Sequence, residues 1–285
     1  MANFVDTVNK NTFFRDNDLH FFLKTDKIPY ASNYFPHAHD HFELYCFLSG
    51  DAEFIIEGNH YNLLPGSILL MRPAEVHQFH PLSEREYSRF VFEFPGNIVA
   101  SFDTEKKLLS PFLDRPLGHF NLYKSREFNK ILPIDLFYRA AEVESNAAIY
   151  KLKLLSCLFM ILTSVLSVFE SSSRHTEPLL LSPIEQITNY IDSNIMENLS
   201  VMELSQKFFI SKSSLERNFK SHTRMSVKEY ITVKRLMLAR ELIRNGQPPT
   251  IAYLHCGYND YSTFFRAYRK LFNISPSEKL AERGD

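Results

Sequence analysis

The chain has 285 residues and nearly balanced charge, with 32 Lys and Arg against 33 Asp and Glu. That length suggests about two domains, and a hydrophobic content of 45% is enough for real cores. The three cysteines, Cys46, Cys157 and Cys256, are odd in number and far apart, which excludes a disulfide framework or a zinc spacing and fits reduced thiols in the cytoplasm. The charge is uneven. From Ser182 onward there are 15 basic and 11 acidic residues, against 17 and 22 in the rest, so the final third carries the surplus that a phosphate-bearing partner requires.

Met1 to Lys10 has no apolar run of the kind a signal peptide needs. Residues 20 to 95 read as a β domain. The strand-like runs are His41–Leu48, Ala52–Glu57, Ser67–Met71, Val76–His80 and Tyr87–Phe94. Ser49-Gly50-Asp51, Gly58-Asn59, Pro65-Gly66 and Pro73 punctuate them, as in a sandwich or barrel. The chemistry gathers at His37-Ala-His39-Asp-His41-Phe-Glu43. In a strand, alternate residues point the same way, so His37, His39, His41, Glu43 and Tyr45 could share one face, with His77 following later. Arg72, Glu75, Arg89 and Glu93 are further candidates for a pocket or its rim. The spacing from His37 through Glu43 to Gly50 is similar to the first cupin motif. Pro65-Gly66 with His77 is a partial second one. In cupin enzymes those positions hold a divalent metal, and imidazoles with a carboxylate suit Fe, Mn, Ni or Zn. Three readings stay open: a metal-free pocket in which these groups hydrogen-bond a small effector, a metal held by His37, His39, Glu43 and His77, or histidines at a barrel mouth with no ligand. The first is preferred, with no cofactor.

From Leu108 to Phe169 the period becomes helical. Ile149, Leu152, Leu155, Phe159, Leu162, Leu166 and Phe169 follow three- and four-residue spacing. Leu154, Leu158, Ile161 and Val165 make the run apolar on a second side, which calls for more than one partner surface; packing on its own barrel and packing on a twin helix, in a homodimer, both stay open. The stretch Leu154–Phe169 is too short to span a bilayer. A polar linker, residues 171–181, follows.

The remainder carries a repeat. Ser213-x-x-x-Arg217-x-Phe219-Lys220 recurs as Ser262-x-x-x-Arg266-x-Tyr268-Arg269, offset by 49 positions throughout. Each copy reads as two short helices around a tight turn. Ser200 with Glu203 makes a capping box for the first helix, which runs to about Lys207. Ser211 caps the second. In the other copy Gly257 supplies the turn and Asp260 the cap. A helix from Pro183, capped by Ser182, precedes the repeat. A long helix, Val227 to Asn245, joins the two copies. A short helix, a turn and a helix with polar and basic residues near its start form the helix-turn-helix arrangement, whose second helix enters the major groove.

These stretches, from Leu199-Ser-Val-x-Glu-Leu-Ser through Arg235-Leu-x-x-Ala239-Arg-Glu-Leu-Ile to Gly257-Tyr-x-Asp and Ser275-Pro276, resemble the DNA-binding domain of the AraC/XylS family of bacterial transcription regulators. Two positions where the family usually has Gly after the recognition helix are Arg224 and Asn273 here. The resemblance implies an α+β two-domain protein. Residues 1–107 would form a cupin-like β-barrel that binds an effector, 108–170 a helical dimerisation segment, 171–181 a linker and 182–285 an all-α DNA-binding domain with two helix-turn-helix motifs. It implies a cytoplasmic regulator, more often an activator, with double-stranded DNA, RNA polymerase and a small effector such as a sugar as partners, and no membrane. Ser213, Glu216, Arg217, Ser262, Thr263 and Arg266 match positions that reach base edges. Lys212, Lys220, Arg269 and Lys270 are placed for phosphates. The alternative is a metal-dependent cupin enzyme fused to a DNA-binding domain. The sequence shows no phosphate-binding Gly-rich loop and no nucleophile elbow that would point to catalysis.

Overall fold

The computed structural model describes residues 4–8, 11–16, 19–103, 105, 107–129, 131–172 and 179–278. Ten strands come first: β1 (Phe4–Val8), β2 (Asn11–Arg15), β3 (His20–Asp26), β4 (Phe42–Ser49), β5 (Ala52–Ile56), β6 (Asn59–Asn62), β7 (Ile68–Met71), β8 (His77–Pro81), β9 (Tyr87–Phe94) and, further on, β10 (Leu122–Tyr123). They form a seven-stranded sheet in the order β1-β2-β3-β9-β4-β7-β10 and a three-stranded sheet in the order β6-β5-β8. The alternation of β4 shows how the layers arise. Leu44 and Cys46 face the core shared with the helices, while Tyr45 and Phe47 face the space between the sheets. A strand buried on both faces reads as continuously apolar, as Phe42–Leu48 does.

The five expected strands are present within about a residue at each end. The largest correction concerns His41. β4 begins at Phe42, so His37–His41 is a loop pinned by one bridge between His37 and His77. The alternating-face argument for these histidines therefore fails, and their convergence has another cause. Asn59 opens β6, and the turn before it falls on Glu57 and Gly58, both at positive φ. The strands β1, β2, β3, β6 and β10 are additional.

Four helices follow the barrel: α1 (Gly96–Ala100), α2 (Ser110–Leu113), α3 (Pro133–Ala141) and α4 (Ala147–Ser171). Because β10 pairs with β7, residues beyond 107 complete the barrel sheet, and barrel and helices share one core. Asn146 caps α4 by accepting from the backbone N–H groups of Ala148 and Ile149. The helix is longer than the apolar run suggested. Its 25 residues are enough, by length and composition, to cross a membrane, yet it lies along the barrel. Its buried row is Tyr150, Leu154, Cys157, Leu158, Ile161, Leu162, Val165 and Phe169. It takes in the whole second apolar side seen in the sequence together with Leu162 and Phe169 of the first. Ile149 and Leu152, from the first, are exposed.

The C-terminal part is helical: α5 (Pro183–Ser193), α6 (Val201–Lys207), α7 (Lys212–Thr223), α8 (Val227–Arg244), α9 (Pro249–His255) and α10 (Tyr261–Phe272). Local signals set these ends. Ser182 with Glu185 and Ser226 with Glu229 form reciprocal capping boxes. Ser200 accepts from the Glu203 N–H, but Glu203 takes its other bond from the Asn198 side chain, so only half of that expected box forms. Helices α7 and α10 both end on a left-handed residue, Arg224 (φ 61°) and Asn273 (φ 56°). These are the two positions where Gly was expected. Most of the expected linker, residues 173–178, lies outside the described residues.

Candidate functional site

The surface that could read DNA is built by α7 and α10. In α7, Leu215 and Phe219 are buried against the first hairpin's core, which turns Lys212, Ser213, Glu216, Arg217 and Lys220 outward. In α10, Phe264 and Tyr268 anchor the second core and leave Ser262, Thr263, Arg266, Arg269 and Lys270 exposed. The same i, i+4 spacing gives both helices the same presentation. Asp260 accepts from the Ser262 and Thr263 backbone N–H groups and fixes the start of α10. Arg266 donates to Thr263 Oγ1 at 3.4 Å. Ser211 does the capping for α7, accepting from the Ser214 N–H. Asn218, which the sequence reading passed over, is also exposed on α7.

The second candidate is a cavity of about 370 Å³ between the two sheets, a size that suits a small molecule. Its walls are aromatic, with Phe22, Tyr34, Tyr45, Phe54, Phe79 and Tyr87 prominent, and its polar groups are His37, Glu43, His77, Arg89 and Glu93. His39 and His41 are not among its lining residues. His39 reaches Glu43 from the side, Nε2 to Oε2 at 2.6 Å, and His41 turns to Asp40 at 3.0 Å. Arg72 and Glu75 lie elsewhere. Glu75 is buried, holds Arg115 at 2.7 Å and accepts from Asn121. Arg72 donates to the Leu113 and Arg115 carbonyls. These two are structural groups beneath a loop.

The electrostatics of the cavity come from burial offset by pairing. Burial alone would raise the Glu43 carboxyl, but the hydrogen bond from His39 and the charges of His39 and His77 hold it well below the usual carboxylate range. His37 is pushed down to about 4, by burial first and then by the neighbouring His77. Burial would lower His39 too, but its hydrogen bond to Glu43 wins and raises it. Arg89 donates to Asp26 at 2.7 Å and lies over the Tyr87 ring at 4.5 Å. Among the described residues one group is able to hold a metal: His39, Glu43 and His77 each offer an atom within 4.8 Å of the others. His37, the fourth member of the expected set, is outside that group.

Comparison with known proteins gives the family of this architecture. The model of the AraC-like ligand binding domain matches residues 26–182, more than half of the chain, and a helix-turn-helix domain model matches residues 204–282. The chain belongs to the AraC family of transcriptional regulators. A probable transcriptional regulator, LumQ of Photobacterium leiognathi, is 26% identical over 243 residues, covering 85% of this chain and 90% of LumQ. The transcriptional activator RhaR of Mannheimia succiniciproducens is 21% identical, covering 85% of each chain. ToxT of Vibrio cholerae aligns over 92% of this chain and 98% of its own at 16% identity and a TM-score of 0.38, which is too low to bear on detail. The protein is thus an effector-controlled, DNA-binding transcription regulator with a β-rich sensor and a helical reader.

In this AraC-family regulator the two parts are joined by contacts that no local sequence signal announces. The loop His37–His41 and the loop Arg72–His77 clasp each other, with the Ala74 N–H donating to the His39 carbonyl at 2.9 Å and His37 and His77 exchanging backbone hydrogen bonds. This clasp, and not strand alternation, brings the histidines together. The far side of the same loops lies on the reader. Val76 belongs to the core of the first hairpin, and Ala38 and Ala74 pack against it. Asp40 pairs with Arg240 at 2.8 Å and with Arg244. Glu57 Oε1 pairs with Lys234 Nζ at 2.7 Å, and its other oxygen accepts from the Tyr230 hydroxyl. Tyr230, Lys234, Arg240 and Arg244 all belong to α8, which makes the connecting helix the reader's face toward the sensor. Gly58 has the His222 ring where a Cβ would stand, 2.0 Å away, so the domains meet there with no room for a side chain.

Proposed function

We propose that the protein is a cytoplasmic transcription activator, not an enzyme, in which a small polar molecule in the sensor cavity alters the grip of the sensor on α8 and so the availability of the two recognition helices. The supporting observation is the double-sided loop. His37 and His77 line the cavity, while Asp40 and Val76, one to three residues away, hold the reader. A ligand that moves the loop acts on both through one rigid piece, which is the differential contact an effector needs. The cavity's aromatic walls with a polar end suit a sugar or another small polyol. RhaR and RhaS, named as activators, favour activation, hence a contact with RNA polymerase.

In this reading Ser213, Glu216 and Arg217 contact bases in one major-groove segment, and Ser262, Thr263 and Arg266 in the next. Lys212, Lys220, Arg269 and Lys270 hold phosphates. His37, His39, Glu43, Tyr45 and His77 form the effector end of the cavity, with His41 acting through Asp40. Ile149, Leu152 and Met160 are the exposed apolar side of α4, beside Leu155, Phe159 and Leu166, which pack partly on the barrel's core. It is the contact of a homodimer, because an apolar helix face left in water calls for a partner.

Asp40→Asn tests the coupling without changing side-chain volume. Preferred sites are first selected from random DNA with the wild type. The variant is expected to bind them with an affinity changed by about 5–150-fold, the usual range of a coupling energy, in the absence of any effector. Unchanged affinity would remove the loop as the coupling element.

A further inference from the structure

We infer that a second cavity, on the seam between sensor and reader, is a binding site for a small zwitterion: an α-amino acid with an aliphatic side chain.

The cavity is a product of the docking described above. On the sensor side, Arg72, Pro73 and Ala74 line it, at the start of the loop whose Val76 enters the reader's core. Leu117 adds to that wall. On the reader side, Lys234, Leu238 and Glu241 stand at i, i+4 and i+7 of α8 and so share one face. Asp192, near the end of α5, and Ile195, just beyond it, complete the lining. The enclosed volume is about 250 Å³, below the roughly 300–1,000 Å³ of cavities that take drug-sized ligands. The space therefore suits a molecule of few heavy atoms. It shares no lining residue with the sensor cavity. Arg72, expected at the rim of that cavity, lines this one instead.

The charges select the ligand. The Arg72 guanidinium is fixed from one side, where Nη1 donates to the Leu113 and Arg115 carbonyls at 3.4 and 3.3 Å. Nε and Nη2 keep three N–H groups, and among the described residues Arg72 forms no ion pair. Glu75, which accepts from the Arg72 backbone N–H, gives its charge to Arg115. Across the seam, Glu241 likewise forms no ion pair among the described residues. Asp192 uses Oδ1 on Lys234 at 3.0 Å and keeps Oδ2. Lys234 is already spent, on Asp192 and on Glu57 at 2.7 Å.

The cavity thus offers one open cation, on the sensor, and open carboxylate oxygens, on the reader. A plain anion would answer Arg72 and bring its own charge against Glu241. A plain cation would do the reverse. A zwitterion answers both. The planar fork of Arg72 matches a carboxylate, while Glu241 and Asp192 match an ammonium group. Pro73, Leu117, Ile195 and Leu238 form the apolar part of the wall, where an aliphatic side chain loses its contact with water. A molecule held from both sides binds only the docked arrangement and stabilises it. The site is independent of the effector reading above.

The test uses the full-length protein and calorimetric titration with L-valine, L-leucine, L-isoleucine and L-methionine, each alone. At least one should saturate at one molecule per chain. The analogues of that amino acid without the amino group and without the carboxylate (for leucine, isocaproate and isopentylamine) should each bind about 10–150-fold more weakly, the range of a hydrogen bond to a charged group. Arg72→Gln should lose a factor in the same range. Glu241→Gln should lose at least about 10-fold, the lower end, because Asp192 remains. His60→Ala, which removes a surface histidine paired with Glu53, should leave binding unchanged. Thermal unfolding verifies that the variants fold, and Glu241→Gln, whose side chain is exposed, suffices alone. No saturation with any of the four amino acids, an analogue that binds as tightly as its parent, or a folded variant at Arg72 or Glu241 that binds like wild type would overturn the site. An amino acid bound in the sensor cavity gives the last of these results. None of them touches the Asp40 coupling, which is read from DNA affinity without ligand.

Discussion

The two helix-turn-helix copies repeat at a constant offset, yet they live in different surroundings. The first is docked. Its core includes Val76 from the sensor, and its connector begins with Tyr230 and Lys234 buried against Glu57. The second closes on its own aromatic cluster of Phe264, Tyr268, Tyr258 and Phe272. Its end also reaches the docked side: Leu271 and Phe272 pack against the first copy's core, and Arg240, paired with Asp40, lies over Phe272 at 4.4 Å. The two copies thus present the same outward face, while the sensor's Val76 and Glu57 pack against the first copy and its connector. In the proposed coupling, an effector's change would reach the first copy through apolar packing and buried charge, and the second through a cation on the shared helix.

The sharpest way to break that contrast is to remove a buried charge on the docked side. Lys234 is 4% exposed, and Lys234→Ala leaves Glu57 buried without its cation, which costs about 3–5 kcal/mol. Arg269→Ala, an exposed cation in the second copy, should change stability by less than about 0.5 kcal/mol. Urea unfolding followed by circular dichroism measures both. Equal, small effects would mean that the first copy is not docked in solution.

Next in size is the reading itself. Arg217→Ala and Arg266→Ala should each lose about 1–3 kcal/mol of specific affinity, each at its own box. The 18 residues of α8 span about 27 Å, close to the roughly 34 Å of one DNA turn, so the boxes should lie about 10 base pairs apart. Selection from random DNA with wild type and both variants gives the answer. If both variants lose preference in the same box, the copies do not read separate grooves. Lys220→Ala should lower affinity for every sequence alike and reduce the salt slope by about 1. A slope equal to that of wild type would place Lys220 off the phosphates.

How much of this was legible in the sequence differed between the halves for a physical reason. The hairpins announced themselves because caps and i, i+4 faces are local. Ser182, Ser211 and Asp260 each cap the helix expected of them. The sensor's five central strands were legible from β-rich runs between turn residues. β6, with its polar Asn59-His60-Tyr61-Asn62, carries no such pattern, and the two residues of β10 are too few for one. Helix α4 is apolar on two sides, so periodicity could not say which side its own barrel would take. The cluster at Glu43 was found from spacing, although the reason given, strand alternation, does not hold. The domain contacts were invisible because Asp40 and Arg244 are 204 positions apart and nothing local pairs them.

The finest distinction between the copies lies at the ends of their recognition helices. Arg224 and Asn273 occupy the same left-handed position, 61° and 56° in φ, each donating its N–H to the carbonyl four residues back. The conformation is costly for a residue with an ordinary Cβ, about 1–2 kcal/mol, and cheap for Asn, whose short side chain bonds locally. Replacing Arg224 by Gly removes that cost but adds about 0.4–1 kcal/mol of freedom to the unfolded chain, so the net gain should be about 0.5–1 kcal/mol. Asn273→Gly has little strain to relieve, and the same unfolded-state term should leave it neutral or slightly destabilising. Because the Arg224 side chain is exposed, lost packing should not obscure the comparison. Parallel urea titrations of the two variants test it. A gain for Asn273→Gly equal to that for Arg224→Gly would show that the two helix ends carry the same strain, and that the copies differ only in what the sensor holds.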